Sequence, residues 1–459
     1  MKEMKILSPT GILGYGFPKS SFLLGLEMEP DIIAVDAGSI DPGPYYLGSG
    51  TPFTTYTSVK RDLNILLTAS CNLKIPLIIG TAGGSGGLPH LNRDKKIIFE
   101  IAKEKSLSCN LVTINSEFNK DYLLKQLDNQ KIKPLNSGPI VKRRDIIQSS
   151  HIVGQMGVEP IIKALDSGAD VVLCGRCYDP AIFAAPAIRA QYSEALSIHL
   201  GKILECAAIA ADPGSGSDCM IGFLGEDYFK VKPLSPKRKC TKTSVAAHTL
   251  YEKSDPIFLP GPGGTLNLSN CEFTQEDAEM VKVTGSLYEK PEKYTIKLEG
   301  AKKIGYRTIC IAGVRDPFFI SNVNEILEKV RLDSAENMDF NEKEYHLNFI
   351  VYGKDGVMGI YEPVKEIKSH ELGIIIDVVA RTQEEANTIC AVVRSTLLHY
   401  GYKGRLTTGG NCAFPFSPAD FKGGEVYKFS LYALLETEFP ENLFPSNNFQ
   451  IIRGVVNEN

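Results

Sequence analysis

Residues 36–44 read Asp-Ala-Gly-Ser-Ile-Asp-Pro-Gly-Pro and directly follow the apolar run Ile32, Ile33, Ala34, Val35. Two carboxylates five residues apart in one loop can bind a divalent cation, divide acid and base work, or hold the loop by Asx turns to the following amides. Asp36, where the apolar run ends, is the catalytic candidate, and Ser39 beside it is a candidate substrate contact. Asp41 precedes a proline and starts a turn that presents Tyr45 and Tyr46, with Tyr45 as a further substrate contact.

A second constellation lies in residues 174–180, Cys-Gly-Arg-Cys-Tyr-Asp-Pro, after the run Val171, Val172, Leu173. Arg176 can grip a carboxylate or phosphate bidentately, or pair with Asp179 inside its own loop, and the two roles are compatible. Both residues are catalytic candidates. Cys174 and Cys177 form a CxxC, but no second CxxC and no His pair stand at ligand spacing, so zinc or redox chemistry is not expected there.

Residues 80–87, Gly-Thr-Ala-Gly-Gly-Ser-Gly-Gly, follow a third apolar run. Amides at Gly83, Gly84, Ser85 and Gly86 could cradle a phosphate or carboxylate, and the alternative is a tight turn packed on a neighbouring loop. The segment matches neither nucleotide fingerprint, since it lacks a Gly-Lys-Ser/Thr ending and the dinucleotide glycine spacing. No nucleotide cofactor is therefore expected, and a divalent cation at the carboxylates is left open. His90 lies just beyond this loop; His248 falls in a helical stretch that puts it on one face with Tyr251 or Glu252, where packing competes with catalysis. Residues 313–317 repeat the order glycine, arginine, Asp-Pro, which makes Arg315 either a substrate contact or half of a structural ion pair. There is no His-Glu-x-x-His.

Strands must present these loops. Lys5-Ile6-Leu7, residues 32–35, 76–79, 110–114 and 170–173 are short apolar runs, separated by helical patterns at 57–73, 95–106 and 159–168. Five continuous Val/Ile/Leu strands predict an α/β fold: a mainly parallel sheet with helices on both faces and the glycine-bearing loops along one edge. One helix is expected over 188–210. From Met220 onward the runs alternate in polarity, at 229–232, 280–285, 294–300 and 306–311, which suggests a partly antiparallel sheet. Residues 345–352 and 372–380, then a helix over 383–400, read as an α+β module. The flexible-looking stretch Asp-Pro-Gly-Ser-Gly-Ser-Asp at 212–218 marks the expected boundary between an α/β domain, 1–218, and an α+β domain, 219–459, that closes the cleft.

The 459 residues suffice for two or three domains, and the net charge of −4 with mixed Lys and Glu offers no basic patch for nucleic acid. No stretch approaches the roughly 18 apolar residues of a membrane span. The N-terminus has no signal-peptide pattern, and eleven scattered cysteines read as reduced thiols, so a cytoplasmic location is expected.

Seven blocks, at 35–50, 154–160, 175–181, 202–206, 244–252, 294–300 and 411–418, together resemble the acyclic terpene utilisation (AtuA-like) family. The resemblance runs to about Glu425. It implies a catabolic protein, some relatives being associated with branched acyl-CoA breakdown, and a small companion subunit or C-terminal domain for which no segment is evident here. The function expected is a lyase of the hydratase/dehydratase type acting on a small carboxylate or acyl-CoA, with the site between the two domains. Arg176 would hold the anion, the amides around 83–87 would stabilise negative charge, and Asp36 or His248 would move the proton. A homo-oligomer is expected. The alternatives are a non-catalytic, partner-dependent subunit and a metal-assisted hydrolase.

Overall fold

The computed structural model describes residues 2–135, 138–251, 255–338, 342–406 and 408–458. The five apolar runs form strands Met4–Ser8, Ile32–Asp36, Leu77–Gly80, Cys109–Ile114 and Val171–Cys174. All five lie parallel, with Val171–Cys174 inserted between Leu77–Gly80 and Cys109–Ile114. Antiparallel strands extend this centre on both sides. Met220–Leu224, Tyr228–Pro233, Val281–Thr284 and Glu272–Gln275 continue from Met4–Ser8, while Ser446–Ile452 and Val455–Glu458 continue from Cys109–Ile114.

The period-two geometry of a strand explains why these runs are apolar throughout. Ile6, Ile32, Ala34, Ile78, Val112 and Val172 enter one core cluster. Their neighbours Leu7, Ile33, Val35, Ile79, Leu111, Val171 and Leu173 enter the other, on the opposite face. Helix Tyr56–Leu73 is N-capped by Thr55, and Glu159–Asp166 has proline in its first turn and Gly168 at φ +85 just beyond its end, as the sequence suggests. The expected 95–106 helix begins earlier and spans Leu88–Lys105, because Pro89 fits a first helical turn. The expected 188–210 helix is broken into Ala181–Arg189, Glu194–Leu204 and the single turn Ala207–Ala210. Gln191 at φ +66 ends one helix, and the Ser193 hydroxyl caps the next by accepting from Leu196 N.

The chain divides into two compact units, the first made of Met1–Lys302 with Phe429–Asn459, the second of Lys303–Lys428. The units part at 302/303 and 428/429, whereas residues 212–218, the expected boundary, lie inside the first unit. There the Thr10 hydroxyl and the Gly11 amide both donate to the Gly216 carbonyl, so the Gly/Ser composition serves a packed loop rather than a linker. In the second unit, residues 306–314 pair antiparallel with Leu372–Ala380, which pairs with His346–Tyr352. Helices Val323–Glu336 and Gln383–His399 share a core with these strands through Val330, Ile376, Ile389 and Val393.

Candidate functional site

Strand Ile32–Asp36 ends because Asp36 turns its carboxylate onto the backbone that follows it. Oδ1 accepts from Ala37 N at 2.8 Å and Gly38 N at 3.3 Å, and the residue is only 6% exposed. Asp36 forms part of the wall of a cavity of about 220 Å³, which also holds Asp41, Asp179, Glu205, Ser39 and the apolar faces of Ile12, Tyr15, Phe53, Ile209 and Tyr251. A second cavity of about 220 Å³ shares Ser39, Asp41, Asp179 and Glu205 with the first and adds Gln155, Arg176, Tyr178, Lys202 and Lys297. All of these residues belong to the first compact unit, although Tyr251 and Lys297 come from beyond residue 218.

Charge is unevenly placed around the two chambers. Among the described residues, the aromatic chamber is lined by four carboxyl groups and by no Lys or Arg, whereas the second chamber carries Arg176, Lys202 and Lys297. Burial raises the Asp36 pKa well above the ordinary carboxylate range, and the negative charges of Asp179 and Glu205 add to the rise. The Gly38 amide and Arg176 oppose it without cancelling it. Asp36 is thereby suited to hold a proton that an ordinary aspartate would release.

Arg176 is buried and fully engaged. Its Nε donates to Glu299 Oε2 at 2.9 Å, and one terminal nitrogen donates to Asp179 Oδ1 and to the Cys177 carbonyl, each at 2.9 Å. The other terminal nitrogen reaches Glu299 Oε1 at 3.5 Å. Burial works against this cation, but Glu299 and Asp179 outweigh it, and the pKa ends well above the usual value. Glu299 is completely buried; burial raises its pKa, but Arg176 and Lys297, the latter at 2.8 Å, bring it below the ordinary range. The guanidinium thus joins the Asp179 loop to Glu299, and each of its three nitrogens has a carboxylate partner within the protein.

Lys202 and Glu205 were not singled out from the sequence. Lys202 ends helix Glu194–Leu204 one turn before Glu205, and its Nζ meets Glu205 Oε1 at 2.5 Å, with both side chains more than nine-tenths buried. Burial disfavours the Lys202 cation, yet Glu205 raises its pKa overall. A signal was present: Lys202 and Glu205 stand three apart in the otherwise apolar run from Leu200 to Ala208. Lys297 and Glu299 stand in the 294–300 block that carries the family resemblance, but nothing there marks Glu299 as the partner of Arg176.

The glycine-rich loop serves a different purpose from the one expected. Gly83 N donates to Asp94 Oδ2 at 2.8 Å, Gly84 N to the Thr81 carbonyl and Gly86 N to the Ala82 carbonyl. These three amides therefore cannot cradle an anion, and Gly83, Gly84, Ser85 and Gly86 line neither cavity. Tyr45 also lies outside both linings and packs edge-on to Tyr46, whose ring meets Phe53. Asp41, assigned chiefly to turn formation, lines both cavities.

His248 stacks on Tyr251 with ring centroids 5.5 Å apart, and is itself in neither lining. Burial and the Lys202 charge lower its pKa to about 4, which leaves the ring neutral near pH 7. Glu252, its suggested companion, lies outside the described residues. Burial likewise lowers His90 to about 4. Arg315 is exposed in the second unit and donates to the His370 carbonyl, while Asp316 caps helix Pro317–Ser321 through Phe319 N, so the repeated Arg-Asp-Pro order is structural there.

Cys174 and Cys177 are buried free thiols, and burial foremost pushes Cys177 up to about 12. Among the described residues, no group of three or more His, Cys, Asp or Glu side chains is placed to hold a metal ion, and no helix is long and apolar enough to cross a membrane.

No curated protein and no solved structure matches the chain. The family model described as acyclic terpene utilisation family protein AtuA matches residues 68–215 and 231–414. Those segments contain Arg176, Asp179, Lys202, Glu205, Tyr251, Lys297 and Glu299, while the Asp36 loop precedes them. With most of its length matched, the chain belongs to the acyclic terpene utilisation family, AtuA.

Proposed function

We propose that the chain is a catabolic hydro-lyase acting on a small, branched carboxylic acid or its thioester, with Asp36 as the proton donor. The observation that supports this reading is Asp36 itself: a buried carboxyl, raised in pKa by burial and by Asp179 and Glu205, in the wall of an aromatic-lined chamber. A carboxylic acid that keeps its proton near neutral pH can protonate a leaving hydroxyl in dehydration, and takes that proton back from water in hydration. Ile12, Tyr15, Phe53 and Ile209 suit the apolar, branched part of such a substrate, in keeping with the acyclic terpenes of the family description. Lys297 lines the neighbouring chamber with its side chain 25% exposed, and suits the polar end of such a substrate.

The test is turnover of short branched enoyl and 3-hydroxy carboxylates, each as free acid and as coenzyme A thioester, followed by loss or gain of the enoyl absorbance. Asp36→Asn is expected to lower kcat about 10²- to 10⁴-fold with KM little changed. The wild-type rate should fall as pH rises through the elevated Asp36 pKa. An Asp36→Asn variant with full turnover, or a chain inert on the whole panel, overturns the assignment.

A further inference from the structure

We propose that Glu205 is the catalytic base of this site and that Lys202 is its positioning residue. The inference rests on the hydro-lyase reading and completes it, because a hydro-lyase needs two groups in opposite protonation states. Asp36 can supply a proton; something must accept one.

Glu205 meets three requirements. It is a lining residue of both chambers, beside the space where a substrate bridging them would carry its reacting carbons. Its partner is a cation at 2.5 Å, itself buried, whereas no Lys or Arg hydrogen bond or ion pair reaches the Asp36 carboxylate among the described residues. It is also close enough to Asp36 for its negative charge to be felt there. Two carboxyls in one cavity, one held beside a lysine and one held among carboxylates, are driven to opposite ionisation states.

The step balances without any further reactant. In dehydration, Glu205 removes a proton from carbon, the C–H electron pair forms the alkene, the C–O bond breaks, and Asp36 protonates the departing hydroxyl to release water. Glu205 then carries a proton and Asp36 a charge. Proton return from Glu205 to Asp36, across the chamber that both line, restores the resting state. Hydration is the reverse, run from the state with the proton on Glu205: Asp36 deprotonates water as its oxygen bonds to one carbon, and Glu205 protonates the other.

Lys202 also lies 5.6 Å from the Tyr251 ring centroid, and Tyr251 is a wall of the aromatic chamber. One side chain therefore braces both the proposed base and the wall opposite it. The Lys202 position at a helix C-terminus further suits a cation.

Two measurements test the proposal. The first uses the panel substrate that the wild type turns over. Glu205→Gln should lower kcat at least about 100-fold and remove the acidic limb of the kcat/KM profile. Lys202→Met should move that limb to higher pH, and Lys202→Arg should restore it. The double variant Glu205→Gln with Lys202→Met, which leaves no unpaired buried charge, should stay as slow as Glu205→Gln alone; recovery of turnover would place the base elsewhere. The second measurement needs no substrate: the infrared carbonyl band of protonated Asp36 is followed against pH in wild type and Glu205→Gln. The band should persist to higher pH in the wild type than in Glu205→Gln. An unmoved midpoint means that Glu205 does not carry a charge beside Asp36, and overturns the inference. If Asp36→Asn is slow while Glu205→Gln keeps its rate and its acidic limb, the hydro-lyase reading stands and the choice of Glu205 falls.

Discussion

Asp36 couples function to stability, and the sign of that coupling can be worked out. Its folded pKa lies well above the ordinary value of 3.8 expected for the unfolded chain. Between those two values the folded state holds a proton that the unfolded state has released, so stability falls as pH rises through this window. Each unit of upward shift corresponds to about 1.4 kcal/mol. Asp36→Asn removes the penalty, and its advantage in melting temperature over wild type is expected to grow from acid to neutral pH. Melting curves of both proteins across that range check this, and parallel curves would show that Asp36 ionises normally. Arg176 illustrates what sequence could not supply at this scale. Its pairing with the acceptor Asp179 was legible as one of two roles for an arginine at a strand end, but the acceptor Glu299, 123 residues away, was not. A buried cation requires such acceptors because its desolvation costs far more than one surface ion pair returns. Lys202 and Glu205 stand in one of the seven blocks that carry the family resemblance, but were passed over as site residues because two charges three apart match no catalytic motif.

At the scale of elements, strand-end loops meet by backbone, and glycine is what lets them do so. A Cβ on Gly38 would lie 2.1 Å from the Gly84 carbonyl oxygen, and one on Gly86 would lie 2.1 Å from Arg176 N. The Asp36, Gly80 and Cys174 loops are therefore locked together, and the glycine-rich segment braces the loops that carry Asp36 and Arg176. Gly168 provides the contrast: φ is +85 but nothing lies within 4 Å of the added Cβ. Gly168→Ala should cost about 1–2 kcal/mol, the strain of a left-handed residue. Gly38→Ala should cost more than about 3 kcal/mol, beyond the usual range for overpacking, since backbone must move. Denaturant melts of the two variants decide between a packed joint and an open loop; equal costs would contradict the joint. The sequence made the strands and their C-terminal loops legible because continuous apolar runs have few alternatives. It could not say whether loop amides face a ligand or each other, since both uses select the same glycines.

For the whole molecule, composition misplaced the division and physical contacts explain why. A Gly/Ser-rich stretch usually reads as a linker, yet residues 212–218 are pinned by the hydrogen bonds that Gly216 accepts from Thr10 and Gly11, and Gly216 belongs to the aromatic chamber. The last strands, Ser446–Ile452 and Val455–Glu458, return to the sheet of the first unit, a long-range pairing that local pattern does not encode. The second unit is an excursion of the chain from Lys303 to Lys428. Within the first unit, a Cβ added to Gly300 would sit 3.0 Å from Leu431 Cβ, so the two ends of that excursion leave from neighbouring positions. A short Gly/Ser linker can therefore replace residues 303–428 at little cost in loop closure, which grows only slowly with length. Such a chain is expected to melt cooperatively and to keep the elevated Asp36 carboxyl, because every residue that lines the two chambers remains. Circular dichroism and the Asp36 infrared band check the two halves of this expectation. A chain that fails to fold would show that the first core depends on the excursion; a folded chain with an ordinary Asp36 would show that the ionisation pattern is not built by the first unit alone.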